Sequence, residues 1–424
     1  MTGAPSSSSD PGRLPRRAEH VTVVDIDGEQ VVYDPMRREA HLLNVTAGLV
    51  LSRCDGHTER QQLVEELAAA YAVDAGIVSA DVQATLEDFG LRGLVMTNEP
   101  AADATADAAP VFAADPRLAL PESWSDPDVA RTDNRPPLPV EWLWQSPVLA
   151  ALESRFRVRT DDPLIARYVE QVFGSLLAPA ADTADAGGAI SIVDVVTADR
   201  PYRLLLDGID VGGGDDLDSV MTFLHWRLNQ LAIASTSTRV LLHASAVRRA
   251  NGVAVFPAES NSGKSTLAAG LVRAGFGYVT DEAVAIDPAQ GGVVPFPKPI
   301  SLDPGSWPLF ADSAPSIEGA ADTFFHHEWH LDPRALRSTA LDDLDLTQTV
   351  TLVAFPRYQA GGPTIFEAMR PAEALLALLR NAFNLATVGK PGVAALATIA
   401  RQVPTVRLSI GNLDAAIDLL RDDH

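Results

Sequence analysis

The chain has 424 residues, enough for two or three cores at about 100–200 residues per domain. With 46% hydrophobic and 21% charged residues, its composition is that of a folded globular protein and excludes wholesale disorder, fibres and coiled coil. A formal net charge of −23 with no basic stripe excludes non-specific nucleic-acid binding, which rests on clustered Lys and Arg. The single cysteine, Cys54, excludes a disulfide framework or thiolate metal centre within one chain and fits a reducing cytoplasm.

Residues 1–18 carry a Ser run and basic residues but no apolar core of a signal peptide, and no later stretch reaches about 18 apolar residues. We therefore expect a disordered N-terminus, no membrane partner and a cytoplasmic location. Val21–Val24 and Gln30–Tyr33 read as strands joined by the Asp27-Gly28 hairpin signal, and Arg38–Leu43 reads as a third strand. A helix is expected to start near Asn44. Another should start near Thr58, which with Gln61 has capping-box spacing ahead of Leu63, Val64 and Leu67. A third helix places Val82, Leu86 and Phe89 on one face, closing a three-strand, three-helix domain over 19–97.

Residues 98–136 begin with a stretch rich in Ala, Asp and Pro and without trustworthy periodicity, so they read as a linker. Over 137–238 helix-like and strand-like patterns alternate, with surface loops expected at 178–188 and at Gly212-Gly213-Gly214, and no chemistry can be named. From 239 to 424 strands (240–247, 253–256, 283–286, 350–355, 406–410) alternate with helices around Leu267 and Leu375, the pattern of an α/β layer domain.

The chemistry centres on Ala258-Glu259-Ser260-Asn261-Ser262-Gly263-Lys264-Ser265-Thr266, between the 253–256 strand and the amphipathic helix of Leu267, Ala268 and Leu271. Strand, loop and helix are the context a phosphate-binding loop requires. Backbone N–H groups from Ser260 to Thr266 form an anion nest, Lys264 reaches the β- and γ-phosphates, and Ser265 ligates Mg²⁺. Ala258 stands where the pattern wants Gly, so either the backbone there is ordinary or the loop is distorted. A chance Gly-Lys-Ser at a helix start is the alternative.

Downstream, Asp281 and Glu282 precede the apolar Ala283–Ile286 run. They can divide two jobs, Asp281 as the base for an attacking hydroxyl and Glu282 as a metal ligand with Ser265; an exposed turn is the plainer reading. His243, on the strand before the Asn251-Gly252 turn, serves either proton transfer or the fold. Lys298 and Arg357 are candidates to neutralise transition-state charge, or are surface residues. His326 and His330 have the spacing of one helical face, but the segment lacks the His-Glu-x-x-His arrangement of zinc hydrolases, and a solvated substrate-side loop is preferred to a metal site.

His243-Ala244, Ser262–Thr266, Thr280-Asp281-Glu282, Phe355-Pro356-Arg357-Tyr358 and Arg380-Asn381 together resemble the HPr-kinase-related proteins, over residues 140–420. The resemblance implies a C-terminal α/β P-loop kinase domain of the HPr kinase type, with ATP held by Lys264, Mg²⁺ by Ser265 and Asp281 as base, and a homo-oligomer among its options. Thr266, Glu282 and the lack of a Glu-x-Arg-Gly signature depart from true HPr kinase, so neither HPr as substrate nor phosphorylase activity is carried over.

Leu42–Ala47, Cys54-Asp55-Gly56 and Gly90–Val95 resemble PqqD, which implies an N-terminal α+β, winged-helix-like domain that takes the leader of a precursor peptide as an added strand. The peptide would pair along Arg38, Glu39, Ala40, His41, Leu42 and Leu43. The expectation is a multidomain peptide kinase that uses ATP and Mg²⁺ to phosphorylate a Ser or Thr of a tethered precursor. A peptide-presenting chaperone and an ATPase switch are the alternatives.

Overall fold

Asp27 and Gly28 both take positive φ, 50° and 84°, and fold β1 (Thr22–Ile26) antiparallel onto β2 (Glu29–Asp34). This computed structural model describes residues 12–96, 141–178, 189–197, 202–259, 262–319, 325–342, 344 and 348–421; the linker expected over 98–136 lies outside them. β3 (Glu39–Leu43) pairs with β2 to complete the first sheet. Asn44 then caps α1 (Val45–Ser52), its side chain accepting the Ala47 N–H at 2.8 Å.

Thr58 is not the cap expected for α2. The helix spans Arg60–Tyr71, because the stronger acceptor Asp55 takes the Thr58 N–H at 2.8 Å and its hydroxyl at 3.0 Å in a turn of its own. α3 (Ala75–Leu91) follows and buries Val82, Leu86 and Phe89 as read. The expected disordered N-terminus is corrected for residues 12–18: Leu14 and Ala18 belong to the core with α1, α2 and α3, and Arg13, Arg16 and Arg17 make β-bridges to Glu59, Asp55 and Val95.

In the second unit β4 (Trp144–Gln145), β5 (Leu149–Ala151), β6 (Ser154–Thr160), β7 (Ser191–Val196), β8 (Tyr202–Leu206) and β9 (Ile209–Gly214) form a six-stranded sheet. α4 (Pro163–Val172) lies between β6 and β7 in the chain, and α5 (Leu217–Ser235) packs on β8 and β9. Gly212–Gly214, expected as a loop, are strand. A Cβ on Gly213 would stand 1.7 Å from the Tyr202 carbonyl oxygen and one on Gly214 2.7 Å from Ser219, so bare backbone is what lets β9 approach β8 and α5.

The rest of the chain runs through β10 (Val240–Arg249), β11 (Gly252–Pro257), α6 (Lys264–Arg273), β12 (Gly277–Thr280), β13 (Ala283–Ile286), β14 (Gly292–Val294), β15 (Ile300–Leu302), β16 (Trp329–Leu331), α7 (Pro333–Leu336), β17 (Gln348–Tyr358) and β18 (Ile365–Ala368). It ends in α8 (Pro371–Arg380), α9 (Leu385–Val388), α10 (Lys390–Gln402), β19 (Thr405–Ile410) and α11 (Leu413–Arg421). The eight-stranded sheet has the order β11-β10-β13-β14-β17-β19-β18, with β12 also on β10. β17 is long enough to pair with β14 at its start, with β11 in parallel next, and with β19 in parallel at its end, so the strands around β10 curl back on themselves. Leu241, Ala283, Ala285 and Phe296 share one core with Phe156, Val193 and Phe223; the described residues between 141 and 238 are therefore built into the unit that carries the Gly263-Lys264-Ser265 segment.

The expected single domain over 239–424 is also corrected, since residues 370–380 and 389–401 belong to the first unit. There α8 packs on β2 and β3, Arg370 pairs with Glu29 at 2.8 Å, and the Arg401 guanidinium donates to the Asp25 carbonyl at 2.7 Å. Consecutive Val31, Val32 and Tyr33 are all buried, which a strand achieves only when both faces of its sheet are covered.

Candidate functional site

β11 delivers the chain to Ala258 and α6 leads it away. Ala258 is not among the residues with positive φ, so replacing the motif's Gly costs no backbone strain here. Ser260 and Asn261 lie outside the described residues. Gly263, at φ 89°, is the N-cap of α6 and turns the chain into it. The Leu267 N–H bonds back to the Gly263 carbonyl at 2.9 Å, which leaves the N–H groups of the first turn, from Lys264, to face a ligand together with the positive end of the helix dipole. Lys264, Ser265, Thr266, Glu282, Ser301, Asp303, Ser306 and Glu328 are among the residues lining one cleft of about 160 Å³.

β10 carries the next components. It pairs with β12 and β13, and the Glu282 carbonyl accepts the Ala244 N–H at 3.2 Å, so the Asp281-Glu282 turn is pinned beside His243. Ser265 Oγ donates to Asp281 Oδ1 at 3.1 Å. Glu282 takes φ 90°, a conformation that costs a residue with a side chain about 1–2 kcal/mol and persists where surrounding structure imposes it. Its carboxylate lies 3.7 Å from His243 Nε2. The Ser265 hydroxyl thus meets Asp281, while Glu282, read with Ser265 as a metal ligand, lines the same cleft and lies beside His243.

Asp281 is 1% exposed, and burial raises its pKa above the usual carboxylate value, with Lys298 and Lys264 pulling the other way. Among the described residues its Oδ2 and the hydroxyl of Ser262 are buried without a hydrogen-bond partner. An unpartnered carboxylate oxygen beside the Ser265 hydroxyl is a donor set that would suit Mg²⁺, and Lys264 with the first-turn N–H groups would suit phosphate oxygens.

A raised folded pKa means that Asp281 stabilises the fold only while protonated, below its unfolded value, and that this contribution is lost as pH rises through the folded value. Asp281→Asn should therefore melt higher than the wild type at neutral pH without nucleotide or Mg²⁺, by about 1–2 kcal/mol. The gap should narrow toward acid pH. A lower melting temperature at neutral pH would contradict the stated cause.

Lys298, weighed in the sequence against a surface role, is 2% exposed, donates to the Pro299 carbonyl at 3.2 Å, and acts on Asp281. Arg357 is exposed. Its neighbour Tyr358, named in the sequence only as part of the Phe355–Tyr358 motif, donates its N–H to the Ser262 carbonyl at 3.3 Å and is 57% exposed. His326 and His330 do not share a helical face. The backbone N–H groups of Phe325, His326 and His327 are held by the Asp218 carboxylate, whereas His330 is buried on β16 against Glu328, 2.8 Å away. Burial, then the neighbouring His330 and Lys298, hold the nearby His225 well below the usual histidine pKa.

In the first unit β3 ends the sheet. Glu39–Leu43 therefore present an edge on which no further strand pairs among the described residues, while Arg38, at φ 57°, lies in the turn before it. Leu43 is in the helix-facing core, so by strand alternation His41 points the same way, and Arg92 at the end of α3 helps to lower its pKa after burial. Residues 29–95 match the family model of coenzyme PQQ synthesis protein D (PqqD).

The PqqD-like match starts at β2 and ends after α3, so the N-terminal residues, β1, α8 and α10 lie outside it. Among solved structures, a chain described as TbiB1 in complex with the TbiA(beta) leader peptide is 19% identical, with a TM-score of 0.19, over 20% of this chain and 99% of that one. No curated protein matches. Near the PqqD-like edge, Met36 and Leu91 are 75% and 80% exposed, and the intervening Arg37 bonds the Leu91 carbonyl at 2.8 Å. Single exposed apolar residues give no sequence signal, which is why neither was singled out. Among the described residues no helix is long and apolar enough to cross a membrane.

Proposed function

We propose that the second unit transfers the γ-phosphoryl group of ATP to a Ser or Thr hydroxyl of a ribosomally made precursor peptide, whose leader the PqqD-like unit holds. The observation that carries the reading is the Ser265–Asp281 contact at the N-terminus of α6, with Lys264 and Glu282 in the same cleft. Lys264 and the first-turn N–H groups hold the phosphates; Ser265 and Asp281 hold Mg²⁺, which when bound neutralises phosphate charge. Glu282, backed by His243, takes the proton of the acceptor hydroxyl as its oxygen bonds to the γ-phosphorus and the bond to the β-phosphate oxygen breaks, releasing ADP. Tyr358 offers a ring for the nucleobase.

The roles given to the two carboxylates thus exchange relative to the sequence expectation, and this is testable. Glu282→Gln is expected to lower kcat about 10²–10⁴-fold with the Mg²⁺ requirement unchanged. Asp281→Asn is expected to raise the Mg²⁺ concentration for half-maximal rate at least about tenfold, at the low end of a lost charged ligand contact. Peptide phosphorylation followed across a Mg²⁺ titration reads both. The opposite pattern would return the base to Asp281.

Leader capture rests on the PqqD-like match and on the β3 edge. Exposed Met36 and Leu91 offer apolar anchors beside it, and added-strand binding takes affinity from main-chain bonds and specificity from such side-chain sites.

A further inference from the structure

We propose that His225, Glu328 and His330 form a second metal centre, a two-histidine, one-carboxylate site for a divalent transition ion, zinc by preference. It lies within the second unit and is independent of the phosphotransfer reading.

One donor atom from each of the three residues lies within 4.8 Å of the other two. Glu328 and His330 are two apart where the chain enters β16, so strand periodicity puts them on one face. His225 arrives from the middle of α5, and the two imidazole centroids are 4.3 Å apart. The positions of the rings are set from outside. His330 Nδ1 bonds the hydroxyl of fully buried Tyr168, which leaves Nε2 to meet Glu328 Oε2 at 2.8 Å. His225 Nδ1 stands 3.4 Å from Ser301 Oγ. Ligating histidines are held as His330 is, with one ring nitrogen fixed by an outer partner and the other presented to the ion.

The three-residue geometry carries the proposal, and His225 adds a buried ring nitrogen, Nε2, with no hydrogen-bond partner among the described residues. Leaving such a group unsatisfied costs about 1–3 kcal/mol, a cost that an ion bound to it would remove. The donor set discriminates among ions: two imidazoles and a carboxylate suit zinc and its transition-metal neighbours, whereas Mg²⁺ and Ca²⁺ take oxygen shells. Three protein ligands leave a coordination position open, as in sites where zinc holds water or a substrate oxygen. Glu328 and Ser301 also line the cleft of Lys264 and Ser265, so the centre adjoins the phosphate site while sharing no ligand with the Ser265–Asp281 pair.

The test uses the full, untagged chain, stripped with chelator and titrated with Zn²⁺ and, separately, Co²⁺. We expect one tightly bound equivalent by elemental analysis and visible Co²⁺ absorption of a low-coordinate site. His225→Gln or Glu328→Gln should abolish it. Tyr168→Phe, which keeps the ring and removes the outer hydroxyl, should weaken affinity about 10–100-fold and remains informative if a ligand variant fails to fold. Lys264→Ala, Ser265→Ala and exposed His327→Ala should leave it unchanged, separating this centre from the phosphate-bound Mg²⁺ and from surface histidines. Substoichiometric metal, or binding that survives both ligand substitutions and Tyr168→Phe, overturns the proposal and leaves His330 and Glu328 as a hydrogen-bonded pair.

Discussion

Removing the leader from the precursor peptide is expected to lower kcat/KM for its phosphorylation about 10²–10⁴-fold, while kcat at saturating core peptide changes little. The reasoning is one of effective concentration. A leader held on the β3 edge converts encounter of the acceptor hydroxyl with the cleft into an intramolecular event, and a mM effective concentration replaces a dilute one. Supplying the leader as a separate peptide should inhibit modification of the full precursor by occupying the same edge. Steady-state kinetics with full, leaderless and mixed peptides distinguishes this from a leader that only solubilises the substrate. In that case the separate leader would not compete.

Lys264→Ala is expected to lower the phosphorylation rate about 10²–10³-fold, the loss typical of one preorganised charge at a site of developing negative charge, with leader binding by the first unit unchanged. Lys264 is 7% exposed at the start of α6, so its ammonium acts in a low-dielectric setting where a phosphate gains more from it than in water. Single-turnover rates with saturating ATP, alongside leader affinity by fluorescence anisotropy, report the two properties separately. An unchanged rate would remove the phosphate loop from the chemistry.

How much of this was legible depended on whether the signal was local. Asp27-Gly28, the Asn44 cap and the Gly263-Lys264-Ser265 loop each consist of adjacent residues whose backbone demands are written in their types, and each was found where it was read. Thr58 failed because a capping box and an Asp-led turn compete for the same N–H, and Asp55 won. The helix read around Leu375 carries no information on its partner, which proved to be the first unit rather than the neighbouring strands.

In the candidate site, the fifteen or so residues between loop and acidic pair were readable as a motif. The different surroundings of Asp281 and Glu282 were not, since they hang on the positive φ of Glu282 and on His243 across the β10–β13 ladder. The meeting of His225 with His330 is set by the packing of α5 against strands over a hundred residues later, and no spacing rule reaches that far. Lys298 shows the same limit, because burial is a property of the assembled core.

Phosphoryl transfer to a peptide is read from the mass of the product. Candidate precursor peptides encoded beside the gene are incubated with the protein, ATP and Mg²⁺, and with the Lys264→Ala variant as control, and their intact masses are compared. A gain of one phosphate per peptide is expected, and the variant should not produce it. A peptide of unchanged mass, in a mixture where the leader is demonstrably bound and ATP is present, would contradict it and leave the protein as a presenter of precursor to another enzyme.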